Sequence, residues 1–293
     1  MQTAIRTVVS LVAFAASTAA AFAQSGLPTT QPNMLVIYRE SVKAGHGADH
    51  EKTEAGWPAA FEKAKSPDYY IALVSMTGPA EAWFVQPLAS NAALGESLKR
   101  EAADPVLAAD LARLSKVDAE HLTGHRVIHA RARTDLSIGA FPDTSAQRFF
   151  EITTFQLRPG YSGAFAEAVK AYSAAASRAG APVTFRTYEV VAGMPEPTFL
   201  LFSSAAALDA FDAMTSAGDA VMKAASAEER AVLERTMREA VVTVESQRFR
   251  LNPTMSYVPR ETREKDPGFW LPKPSPRRQT MAAPARTPAA PQP

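Results

Sequence analysis

Short runs of alternating apolar residues punctuate this chain, and each gives way to a stretch where apolar positions recur every three or four residues. Residues 35–42 and 149–157 read as strands, each followed by a glycine, Gly45 or Gly160, where the chain turns. After Gly160, the residues Phe165, Ala168, Val169, Tyr172 and Ala176 mark the buried face of a helix. After Gly45 the matching stripe is His50, Thr53, Glu54, Trp57 and Phe61. It is weaker and carries Pro58 at its centre, which predicts a kink or break. Two hairpins follow: residues 70–76 with 82–88, and 185–191 with 197–202. Gly78-Pro79 and Gly193-Met194-Pro195 supply their turns. Helical stretches are expected at 91–121 and 205–242, and closing strands at 125–133 and 244–252.

The pattern occurs twice. Residues 34–90 lie over 149–205 without a gap at a constant offset of 115. Ile37 then falls on Ile152, Gly45 on Gly160, Pro67 on Pro182, Gly78 on Gly193, Glu81 on Glu196 and Phe84 on Phe199. A repeat of this length is a whole α+β unit, since solenoid periods run roughly 20–50 residues. The order β-α-β-β-α-β is the ferredoxin-like plan, a four-stranded antiparallel sheet with helices on one face. Its other face needs cover, and two such sheets face to face make a barrel. The expected fold class is therefore α+β, with two tandem ferredoxin-like units at 33–137 and 146–257 joined by a linker holding Gly139 and Pro142.

The stretch from Phe149 to Gly160 resembles the opening strand of NIPSNAP-type domains, within the dimeric α+β barrel superfamily. Phe150, Glu151, Ile152, Thr154, Phe155, Leu157, Pro159 and Gly160 fit that pattern, while Thr153 stands where the family often has Arg. The first copy keeps Leu35, Ile37, Val42 and Gly45. The resemblance implies an intramolecular dimeric α+β barrel. Its relatives include cofactor-free monooxygenases, haem-handling enzymes, lactone isomerases and many proteins of unknown role.

Strand parity sorts the side chains into two sets. Leu35, Ile37, Phe150, Ile152, Ile128, Ala130, Phe249 and Leu251 form the apolar set, expected to face the helices. The opposite set carries Tyr38, Glu40, His129, Arg131, Arg133, Glu151, Arg248 and Arg250, expected inside the barrel. In a catalytic reading His129 is the acid or base and Tyr38 and Glu40 orient a phenolic or dicarbonyl substrate. Arg131, Arg248 and Arg250, with Glu151 beside them, would hold a ligand's negative charge. In the plainer reading Glu40 and Glu151 merely neutralise those arginines, since buried charges must be paired. Trp57 and its counterpart Tyr172 suit core packing, and Trp83 has ambiguous parity.

Histidines recur at spacings of four, His46 with His50, and His121 with His125 and His129. On a helix that spacing can hold zinc. His46, however, lies at a turn and His125 and His129 in a strand, so no metal ligand set is expected. His50 is expected to be a partly buried histidine capped by Glu54 or the backbone. No cofactor is expected either: haem would need an axial ligand, for which His129 is the interior candidate.

Composition fixes the address. Arg6, the apolar residues 8–22 and Ala21-Phe22-Ala23 read as a signal peptide over 1–23, with the mature chain starting at Gln24. The apolar run is short for a membrane span of about 20 residues. A periplasmic or secreted location follows. The absence of cysteine excludes a thiol enzyme, a lipoprotein and a Cys-ligated metal. The segment after Tyr257 holds seven Lys or Arg against three acids and nine prolines, so 258–293 is expected to be a disordered tail. Phe269 and Trp270 are the exception and could dock it on the body. No basic face suggests nucleic acid, and no later stretch could enter a membrane. Three roles stay open: a small-ligand binder or scaffold, a cofactor-independent oxygenase or isomerase, and an interaction protein that offers its tail to a partner. Homo-oligomerisation is open too.

Overall fold

The computed structural model describes residues 26–271. The expected signal peptide and the tail beyond Leu271 lie outside them. The first half runs β1 (Met34–Val42), α1 (Gly47–Glu54), α2 (Gly56–Ala64), β2 (Tyr70–Ser75), β3 (Glu81–Leu88), α3 (Asn91–Ala103), α4 (Pro105–Asp118) and β4 (Leu122–Ala132). The second runs β5 (Phe149–Leu157), α5 (Ser162–Ala179), β6 (Arg186–Ala192), β7 (Thr198–Ala205), α6 (Ala210–Ala224), α7 (Ala227–Glu239) and β8 (Val241–Tyr257). The eight strands close into a barrel in the order β1-β3-β2-β8-β5-β7-β6-β4. All neighbours are antiparallel, so the fold is α+β around a closed antiparallel barrel. Two seams join the halves, β2 to β8 with Leu73 opposite Leu251, and β4 to β6 with Arg131 opposite Glu189.

The halves match in detail. The β1–β4 ladder slips at Ser41/Val42 and the β5–β8 ladder at Gln156/Leu157, the same offset of 115. Gly45 and Gly160 follow these slips with φ of +84° and +87°, a region that costs any residue with a Cβ. The first-half helix breaks at Ala55, and Pro58 falls in the first turn of α2, where its missing N–H is no loss. Asp104 divides the next helical stretch: its carboxylate accepts from the N–H groups of Val106 and Leu107, capping α4. Ser226 and Glu229 form a capping box at the start of α7.

The two faces of the sheet are the reverse of the sequence expectation. Leu35, Ile37, Ile128, Ala130, Phe150, Ile152, Phe249 and Leu251 point into the barrel, where they form one core with Leu73, Trp83, Tyr188 and Leu200 from all around the wall. Tyr38 instead packs on the helix side with Trp57, Phe61, Tyr70 and Phe84. An eight-stranded barrel is just wide enough for side chains to fill. Its interior takes the more apolar set, and the polar set goes outward. Alternation alone yields two faces without saying which is inside.

Arg186 pins the linker by donating to the carbonyls of Ile138, Gly139 and Ala140 at 2.5, 2.7 and 2.8 Å. The expectation of a disordered tail from residue 258 fails for its first part. Two short helices, α8 (Arg260–Lys265) and α9 (Pro267–Trp270), return to the body. Trp270 is buried in the barrel core, and its indole N–H donates to the Ser145 carbonyl at 3.2 Å. The Arg148 guanidinium stacks 3.8 Å over Phe269. No helix among the described residues is long and apolar enough to cross a membrane.

Candidate functional site

A cavity of about 640 Å³ opens between the outer face of the first-half sheet and the helices that cover it. Strand alternation sends Tyr38 and Glu40 of β1, Tyr70 of β2, Phe84 and Gln86 of β3 and His125 of β4 to this side. Trp57 and Phe61 from α2, Ser97 from α3 and Leu107 and Leu111 from α4 close it from above. The walls are aromatic. Tyr70 lies edge-on to Phe61 and to Phe84, each at 6.0 Å between centroids, and Tyr38 stacks on His125 at 6.2 Å. Asp68 and Arg100, paired at 2.5 Å, stand at its rim.

The inner end of the cavity is acidic. His50 Nε2 lies 3.0 Å from Glu40 Oε2 and 3.6 Å from Asp118 Oδ1. Glu54, one helical turn beyond His50 on α1, joins them, and one ligand atom from each of the four groups lies within 4.8 Å of every other. His50, Glu54 and Asp118 are each only 3% exposed. Glu54 Oε1, Asp118 Oδ1 and the Tyr70 hydroxyl have no hydrogen-bond partner. Burial, reinforced by the charges of Glu40 and Asp118, holds the Glu54 carboxyl well above the usual carboxylate range. Burial and Glu40 push Asp118 upward as well, against the pull of His50, His121 and His125. Burial also raises the Tyr70 phenol, with Glu54 and Glu40 adding to it.

The residues expected to share one barrel site do not converge. Tyr38 and Glu40 line the cavity, with Glu40 facing His50 rather than an arginine. His129, between the inward residues Ile128 and Ala130, lies on the outward parity of β4 and is not among the cavity residues. Arg131 is mostly exposed and pairs with Glu189 at 2.8 Å, which Arg133 also reaches at 3.1 Å. Arg248 pairs with Glu151 at 2.8 Å and stacks 4.4 Å over Phe211 on the outside of the second half. Arg250 reaches Glu51 at 3.5 Å. These arginines have carboxylate partners, but of the pairings in the plainer reading only Glu151 with Arg248 is present. Glu40 faces His50 instead, and no barrel interior unites them.

Sequence reasoning missed Asp118 and Tyr70 and gave His50 and Glu54 only a structural role, with Glu54 as the cap of His50, whereas the His50 ring meets Glu40 and Asp118. The signal that was present is their spacing: His50 and Glu54 are four apart on α1, which puts both on one helix face. Asp118 had no local signal, because only the packing of α4 brings it to α1. The expected turn position of His46 is correct: it immediately precedes α1, and its Nδ1 lies 3.1 Å from that of His121.

No protein-family model matches this chain, and no curated protein does. Several solved structures are similar at a distance. A proposed monooxygenase from Lactobacillus acidophilus NCFM has 12% identity over 78% of this chain and 99% of its own, with a TM-score of 0.47. An anthrone oxidase-like protein has 12% identity over 75% of this chain and 91% of its own, with a TM-score of 0.48. A chlorite dismutase variant from Candidatus Nitrospira defluvii has 11% identity over 80% of this chain and 95% of its own, with a TM-score of 0.45. Likenesses this distant carry no argument about activity, and the description of the fold rests on the barrel itself.

Proposed function

We propose that this chain is an exported NIPSNAP-like protein, built by tandem duplication, that holds a small aromatic-bearing organic molecule in the cavity between its first sheet and the covering helices. The observation that carries this reading is the cavity of about 640 Å³ with aromatic walls and a polar inner end. Small-molecule sites commonly measure roughly 300–1,000 Å³ and combine apolar walls with a few convergent polar groups. Tyr38, Trp57, Phe61 and Phe84 would take the ring system, and Glu40, Gln86 and His125 would orient its polar substituents. The sequence supports export through residues 1–23, and sequencing of the mature N-terminus should find Gln24 first.

A catalytic version of the same site is supported by Tyr38, Glu40 and His125 lining one cavity. There His125, not His129, would be the histidine facing a substrate. The binding reading is tested by titrating the mature protein with 1-naphthol while following tryptophan fluorescence. Saturable quenching is expected, lost in Trp57→Phe and blocked when Ser97→Trp fills the cavity. Binding that survives Ser97→Trp unchanged would place the ligand elsewhere.

A further inference from the structure

The four groups at the inner end of the cavity are costly as they stand. Three carboxylates and an imidazole are gathered in a space where three of the residues are 3% exposed. Unpaired charges in such a place are strongly disfavoured, and an unpartnered buried oxygen loses its hydration without replacement. Glu54 and Asp118 leave oxygens unpartnered inside the cluster. Asp118 is also the last residue of α4, at the negative end of that helix's dipole. That placement repels a carboxylate and attracts a cation.

The fold does not require this arrangement. At the offset of 115, Glu40 corresponds to Phe155, His50 to Phe165 and Glu54 to Val169. In the second half those residues form an apolar cluster, with Phe165 stacked 4.6 Å from Phe199 and tilted 5.2 Å from Phe155. The same position between strand and helix is thus filled by apolar side chains in one half and by ligand-type side chains in the other.

We propose that Glu40, His50, Glu54 and Asp118 bind one divalent transition-metal ion at the inner end of the cavity. One imidazole and three carboxylates, without thiolate, suit a borderline-to-hard ion such as Mn²⁺, Fe²⁺ or Zn²⁺. Bonds of about 2.0–2.2 Å place ligand atoms at most about 4.4 Å apart across an ion. The observed limit of 4.8 Å needs only a small contraction of side chains. The ion would take the place of the hydrogen shared between His50 Nε2 and Glu40, and would give the two unpartnered oxygens a partner. Because Glu40 and Glu54 also line the cavity, the ion would lie at the edge of the ligand space. Metal binding stands apart from the small-molecule reading, since each is measured without the other.

The test uses the mature chain stripped with EDTA and dialysed against MnCl2 or ZnCl2. Bound metal is read by elemental analysis, bound Mn²⁺ by electron paramagnetic resonance, and stability by thermal melting. The expected result is one ion per chain and a rise in melting temperature that EDTA reverses. Glu54→Gln and Asp118→Asn should each weaken binding by about tenfold or more, since losing even a residue that only supports a ligand costs about 10–100-fold. A variant carrying Glu40→Phe, His50→Phe and Glu54→Val, the residues of the second half, should bind none and melt no lower than the stripped wild type. If that variant fails to fold, the two isosteric single variants decide. The proposal is overturned if neither metal binds at one equivalent, or if binding persists undiminished in the variants.

Discussion

Glu81 accepts from Arg39 at 2.8 to 3.1 Å and from the Trp83 indole N–H at 2.9 Å, closing a charge pair inside the barrel wall. The Arg39 guanidinium also lies 4.9 Å over the Trp83 ring. Removing one member of a buried pair strands the other, at a cost of about 3–5 kcal/mol. Glu81→Ala should therefore destabilise the protein by about that amount in urea unfolding. Glu51→Ala, which breaks only the exposed contact to Arg250, should cost under about 1 kcal/mol. The contrast separates charges that matter by burial, a property that sequence cannot display. Tyr38 and Glu40 were legible as neighbours on one face because alternation places them there. Their partners were not, because Asp118 and Tyr70 meet them only through tertiary packing.

At the level of elements, the strand–glycine–helix and hairpin order could be read from periodicity and turn residues, and it holds in both halves. Parity assigned side chains to faces correctly as sets and misassigned which face was inside. That choice belongs to barrel closure, which no single strand encodes. The turn glycines offer a local test. Gly193 has φ of +91°, and a Cβ there would meet the Val127 carbonyl oxygen at 2.0 Å. Gly160 has φ of +87° with nothing within 4 Å. Gly160→Ala should cost about 1–2 kcal/mol for the backbone conformation alone. Gly193→Ala should cost more than that, because β4 must move as well. Equal losses in chemical denaturation would mean that the turn does not press on β4.

For the molecule as a whole, the proline-rich tail docks through Phe269 and Trp270, the two aromatics that stood out from its composition. Trp270 is 3% exposed within the barrel core, so the C-terminal helices help seal the barrel. Trp270→Ala should cost about 3–5 kcal/mol, as deletion of a buried aromatic does. A stop after Tyr257 should likewise lower the melting temperature, where a freely disordered tail would leave it unchanged. The two halves share a plan and differ in what fills the space between sheet and helices, acidic and open in the first, aromatic and packed in the second. The offset of 115 made the shared plan visible, and it also marks the polar substitutions that set the first half apart. The central claim is that the first-half cavity is the working site. A crystal structure with 6-bromo-2-naphthol tests it most directly, through the anomalous signal of the bromine. The account expects one peak between β1 and α2, beside Trp57 and Phe84. A peak away from that cavity, or none at saturating ligand, would contradict it.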